Sequence, residues 1–144
     1  MGPRHGQRLA NGALSVAATI VHVGSGRVLA LQRFDEDRWV LPGGPVAPGE
    51  DLEARLRTYV RAATGFEIRR LIPTGRRATA TGTVVFVRCE ISGVGADITS
   101  RTRTMQWMDR AAIRAFMDPI TAVGMLTALD TASVSGGAAT LLAS

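Results

Sequence analysis

Between Trp39 and Phe66 the chain changes its hydrophobic period, and that change limits the folds open to it. Arg38-Trp39-Val40-Leu41 reads as a short strand stopped by Pro42-Gly43-Gly44, because proline withholds a ladder donor and glycine frees the backbone to turn. From Asp51 the apolar residues Leu52, Leu56, Val60 and Ala63 form the stripe of an amphipathic helix, with Glu53, Arg57 and Arg61 following one another at i+4 outside it. Asp51 is suited to cap the first turn of that helix, and Gly65 to adopt the left-handed conformation that ends it.

β-prone runs lie on both sides. Leu14 to Val23 and Arg27 to Phe34 are separated by Gly24-Ser25-Gly26, a hairpin signal, and are followed by a charged tip at Asp35-Glu36-Asp37. Further strands are expected over Glu67 to Pro73, Thr81 to Ile91 and Thr102 to Met108, then helices over Asp109 to Met117 and Ile120 to Ala132, divided by Pro119. Strands flanking a helix predict one mixed α/β sandwich, and 144 residues suit a single domain. The expected boundaries are a loose arm at 1–12, the domain at 13–132 and a tail at 133–144, with Leu141-Leu142 as a late anchor. No internal repeat is present.

Composition narrows the partners. With 46% hydrophobic and 20% charged residues the chain reads as globular. The net charge of +5 comes from arginine alone, without a lysine, which reads as a genomic base preference rather than a nucleic-acid surface. The arginines are scattered, aromatics make up 5% of the chain, and no RNA-binding signature accompanies the pairs Arg69-Arg70 and Arg76-Arg77, so nucleic acid is not an expected partner. Ala13 to Val23 is β-branched and holds His22, which marks a strand and not a signal peptide; no other stretch approaches the ~20 apolar residues of a membrane span. Cys89 has no intramolecular partner and is expected to be a buried strand thiol, in keeping with a cytoplasmic protein; a homodimer is left open.

Trp39-Val40-Leu41-Pro42-Gly43-Gly44-Pro45-Val46-Ala47-Pro48-Gly49-Glu50, with the helix ending at Thr64-Gly65-Phe66, resembles the Nudix hydrolase family. That family's box places a glycine, then a glutamate, then Arg-Glu-U-x-Glu-Glu-x-Gly-U, where U is bulky and apolar; Gly44, Glu50, Val60, Gly65 and Phe66 fall on their places without a gap. A looser likeness extends over Leu14 to Leu129. The resemblance implies an α/β (α+β type) fold, a Nudix-like α/β/α sandwich with a mixed central β-sheet. It also exposes a departure: Thr58, Tyr59, Ala62 and Ala63 stand where the family carries Arg, Glu, Glu and Glu. In the family those carboxylates hold magnesium or manganese, which needs oxygen ligands that alanine lacks. The implied protein has no metal site on this helix and needs no other cofactor.

The expected partner is a small-molecule ligand in the family's cleft, with Arg33, Gly43, Gly44, Tyr59, Ala62 and Ala63 as binding residues and Tyr59 and Glu50 as candidate catalytic groups. Tyr59, Ala62 and Ala63, at i, i+3 and i+4, are expected to line one cavity. Each has a plainer reading: Tyr59 packs with a wet tip, Glu50 secures the loop before the helix, Arg33 pairs with Glu50 instead of a phosphate, and His22 is a half-exposed strand end. Three functions stay open: binding or metal-independent chemistry in the cleft, hydrolysis of a nucleoside diphosphate derivative at a displaced metal site, and a non-enzymatic regulatory or interaction module. No Ser-His-Asp order, Cys-His pair, zinc spacing, P-loop or dinucleotide glycine motif is visible.

Overall fold

The computed structural model describes residues 13–22, 24–33, 38–91 and 103–143, without the side chains of 33, 103–104 and 132–143. The arm at 1–12, Val23, Phe34, the charged tip 35–37, Thr102 and the side-chain anchor at Leu141-Leu142 therefore lie outside the described residues. The two β-branched runs form β1 (Leu14–His22) and β2 (Arg27–Arg33), an antiparallel pair with His22 opposite Arg27. Gly26, with φ 67°, supplies the left-handed residue of the hairpin turn. The remaining elements are β3 (Trp39–Val40), β4 (Gly43–Val46), α1 (Leu52–Thr64), β5 (Ile68–Thr79), β6 (Gly82–Ile91), β7 (Arg103–Met108), α2 (Arg110–Phe116) and α3 (Pro119–Ala143).

Together the strands make one seven-stranded sheet in the order β3-β2-β1-β6-β5, with β4 paired to β1 and β7 to β2. The sheet is mixed, because β1 runs parallel to β6 and antiparallel to β2 and β4. Helix α1 seals one face, where Leu56 and Val60 are fully buried against Val16, Ala18, Ile20, Val85 and Val87. On the other face α2 and α3 cover Val21, Val28 and Ala30 with Ile113, Met117, Met125 and Leu129. Each fully buried aliphatic side chain contributes roughly 1.5–3 kcal/mol, so both helix layers are held chiefly by this burial. The α/β/α sandwich expected from the sequence is the observed architecture.

Three boundaries differ from the sequence reading. Gly43 and Gly44, read with Pro42 as the stop of a strand, instead begin strand β4, because β1 offers a free edge at Leu14 to Ala17 on which even a glycine-rich segment completes its ladder. The strand expected over Glu67 to Pro73 continues to Thr79, since two register shifts, between Ile68 and Arg70 and between Pro73 and Gly75, absorb Pro73 and keep the pairing with β6. The helix expected to end at Ala132 runs to Ala143. Pro119 starts it, as a proline at the first helical position should, and Asp118 caps it by accepting the Thr121 N–H at 3.1 Å. No helix of the described residues is long and apolar enough to cross a membrane.

Cys89 is fully buried between β1 and β5, and burial pushes its thiol from the ordinary 9.0 up to about 12 against the weaker opposing pull of Arg57 and Arg88. Between those pH values the unfolded chain releases a proton that the folded chain keeps, so stability present below about pH 9 falls as pH rises toward 12. Cys89→Ala is expected to flatten this alkaline decline in urea midpoints; equal slopes for the two proteins would show that the thiol titrates alike in both states.

Candidate functional site

Strand register determines where the cleft forms. Ala17 sits opposite Gly43 on one side and Phe86 on the other, and Ser15 opposite Pro45 and Val84. The short side chains of Ser15 and Ala17 leave a hollow on the sheet face away from α1, floored by Val84 and Phe86. The segment Arg38 to Gly44 forms one wall and the start of α3, with Asp118, Ile120 and Thr121, forms the other. The enclosed volume is about 540 Å³.

Gly43 and Gly44, two of the expected binding residues, do border this cleft. Both are glycine for reasons of close approach. A Cβ on Gly43 would lie 2.0 Å from the Val16 carbonyl oxygen, and one on Gly44 would lie 2.7 Å from the Tyr59 ring. Gly44 pairs with Val16, whose side chain enters the core beneath α1, so its missing side chain is the one that would point at α1. Strand β4 thus stands between Tyr59 and the cleft.

The three helix positions expected to share one cavity go to different places. The Tyr59 hydroxyl donates to the Pro45 carbonyl oxygen at 2.6 Å and accepts from Arg55 Nη2 at 2.6 Å, while the Arg55 guanidinium lies 4.5 Å from the ring centre. Ala63 is half-buried against the core under α1. Ala62 lines a separate cavity of about 410 Å³ on the outer side of α1, with Thr58, Arg57, Arg61, Phe66, Glu67 and Ile68. None of the described cavities is lined by Tyr59 or Ala63. The i, i+3, i+4 spacing places residues on one helical surface, but here β4 covers part of that surface and the sheet another part.

Glu50 accepts the Ala47 N–H at 2.8 Å, closing the turn before α1, and lies 3.7 Å from Arg55 Nε. The Tyr59 hydrogen bond, foremost, raises the Arg55 guanidinium above its ordinary value, with Glu50 adding to the effect, so a fixed cation stands next to Glu50. Arg33 ends β2 opposite Arg103, and its side chain lies outside the described residues. His22 is exposed, bonds Ser25 Oγ at 2.8 Å and meets the Trp107 ring edge-on at 5.4 Å, which assigns it to the hairpin turn.

Sequence reasoning missed the cleft floor and its α3 wall. Ser15, Ala17, Val84 and Thr121 carry no distinctive chemistry, and only the crossing of β1, β6 and α3 brings them together. Asp118 did carry a signal, as a helix-capping residue before Pro119.

No family model matches the sequence. A MutT-like protein of Streptomyces ambofaciens is 32% identical to it over 120 residues, which cover 82% of this chain and 77% of that protein. The chain belongs to the Nudix family of MutT-like proteins. Solved structures agree on the fold. One from a study of MutT from Aliivibrio salmonicida and Vibrio cholerae superposes on this Nudix chain with a TM-score of 0.68 at 15% identity, covering 84% of this chain and 99% of the other. The MutT protein of Methanosarcina mazei gives 0.64 at 22% identity, with 82% and 93% covered. An ADP-ribose pyrophosphatase of Streptococcus suis gives 0.65 at 18% identity, with 84% and 92% covered. This Nudix chain is hydrolase-like in fold, and its helix Leu52–Thr64 packs over one face of the sheet.

Proposed function

We propose that this Nudix-fold chain uses the sheet-face cleft to bind a small organic molecule, or to act on it, without a divalent metal on the box helix. The engagement of Glu50 is the observation that carries this reading. The carboxylate that matches the family's box holds the Ala47 N–H and lies beside Arg55 through its Oε1, and Glu53, the carboxylate within the helix, is paired with Arg57. Thr58 donates its hydroxyl to Ala54 O, Tyr59 donates to Pro45 O, and the side chains of Ala62 and Ala63 carry no oxygen. A magnesium or calcium ion takes about six or more oxygen ligands, and the resident guanidinium repels a second cation. These residues do not fit such an ion. Among the described residues no group of three or more His, Cys, Asp or Glu side chains is placed to hold a metal ion, which supports the same reading.

The cleft itself suits an organic ligand. Its volume of about 540 Å³ falls within the roughly 300–1,000 Å³ of small-molecule sites. Val40, Leu41, Phe86 and Ile120 offer apolar walls, and Ser15 and Thr121 offer hydroxyls to orient a ligand. In this reading Tyr59 and Glu50 support β4 and the turn before α1 instead of acting as catalytic groups.

The test has two arms. Calorimetry with magnesium or manganese is expected to show no micromolar binding, and a panel of nucleoside diphosphate sugars, dinucleotides and nucleoside triphosphates no metal-stimulated hydrolysis. Turnover in the usual range of ~1 to 10³ per second would overturn the proposal in favour of a displaced metal site. In the second arm, small aromatic fragments are expected to shift the amide resonances of Ala17, Val84 and Phe86, and Thr121→Trp to abolish those shifts by filling the cleft.

A further inference from the structure

Phe86 stands between the cleft and a second, smaller cavity of about 100 Å³, lined also by Thr74, Gly75, Arg76, Arg77, Gly124 and Thr127. Two glycines create this notch. Gly75 pairs with Phe86, and nothing lies within 4 Å of the point where its side chain would start. Gly124 lets α3 cross the Phe86 ring so closely that an added Cβ would lie 2.4 Å from it. Arg77 pairs with Val84, a residue of the cleft floor, so its side chain leaves the sheet on the face that carries the cleft.

Among the described residues nothing neutralises the charge at the notch. Arg76 and Arg77 are exposed, and neither side chain has an ion pair or hydrogen bond among the described residues. No carboxylate of the described residues lines the cavity. The contrast with the outer cavity on α1 is direct: there Arg57 is paired with Glu53 and Arg61 with Glu67, which cancels their charge for a ligand. A volume of about 100 Å³, against roughly 30 Å³ for a water molecule in the liquid, has room for a phosphoryl group.

We propose that the Gly75–Gly124 notch is an oxyanion site, taking a phosphoryl group through Arg77. The guanidinium fork matches two phosphate oxygens at once, which favours this anion over chloride. The group belongs to a ligand whose organic body lies across Phe86 in the cleft; this second part rests on the small-molecule reading above, whereas the anion site stands on the notch alone.

Inorganic phosphate titrated into the full chain at constant ionic strength is expected to give saturable amide shifts at Gly75, Arg77, Gly124 and Thr127 that chloride does not give. Arg77→Gln is expected to weaken this binding about tenfold, as for the loss of a charge-assisted hydrogen bond, and Arg57→Gln to leave it unchanged. Absence of saturation, or equal weakening by both variants, would overturn the anion site. Phenyl phosphate and phenol then test the bridge. Phenyl phosphate is expected to bind more tightly than phosphate and to shift Ala17 and Ile120 as well. If phosphate occupies the notch, phenol shifts the cleft, and phenyl phosphate gains nothing over phosphate, the bridge is refuted while both sites stand. If phenol and phenyl phosphate leave the cleft resonances unmoved, the small-molecule reading of the cleft fails and takes the bridge with it, leaving the anion site.

Discussion

Gly43→Ala is expected to destabilise the protein by about 3 to 5 kcal/mol, combining the cost of a strained backbone with that of forcing an atom into a filled space. The new methyl group would start 2.0 Å from the Val16 carbonyl oxygen, at a position whose φ is 153°. Neither can yield cheaply, because Val16 is held by β6 on one side and β4 on the other, and Gly43 itself is paired with Ala17. Relief requires β4 to lift from β1, which also moves one wall of the cleft. Gly49→Ala is the matched control: its φ of 85° carries a backbone cost of about 1–2 kcal/mol, but nothing lies within 4 Å of the added atom. Urea midpoints for the two variants should separate widely; similar values would mean that β4 is not clamped against β1 as described.

Tyr59→Phe is expected to cost about 1–2 kcal/mol of stability, and Tyr59→Ala about 2–3, somewhat less than a fully buried ring because Tyr59 is half-buried. The hydroxyl lost in the first variant leaves the Pro45 carbonyl oxygen without its side-chain donor and Arg55 without its acceptor. Binding of fragments in the cleft should change no more than about twofold, since β4 lies between the ring and the cleft. The sequence alone leads to the opposite expectation, weakened binding at nearly unchanged stability. Denaturation midpoints measured beside fragment affinities decide between them, and lost binding without lost stability would return Tyr59 to the site.

Much of the fold was legible because its signals are local. The helix over Leu52 to Thr64 was readable from its apolar stripe, and its ends from Asp51, which accepts the Glu53 N–H at 3.1 Å, and Gly65, at φ 81°. The hairpin at Gly24 to Gly26 and the start of α3 at Pro119 were readable in the same way. The strand character of Gly43 to Val46 was not, because nothing in those residues favours a strand and only the exposed edge of β1 makes them one. The candidate site divided along the same line. Gly43 and Gly44 could be assigned to a cleft because the Pro-Gly-Gly turn resembles the family's, whereas the destinations of Tyr59, Ala62 and Ala63 depended on what packs against the helix.

By itself the sequence determined the order of strands and helices apart from β4, and the capped helix over Leu52 to Thr64. Period, capping and spacing act over a few residues, so they can be read without knowing the partners. The tertiary structure alone decided that β1 pairs in parallel with β6, that Ser15 and Ala17 therefore lie beside Val84 and Phe86 in the floor of a cleft, and that β4 separates this cleft from Tyr59. Strand pairing over such separations is chosen by the burial of whole faces, and a shift of one residue would turn every side chain of a strand to the other side, so no local pattern specifies it.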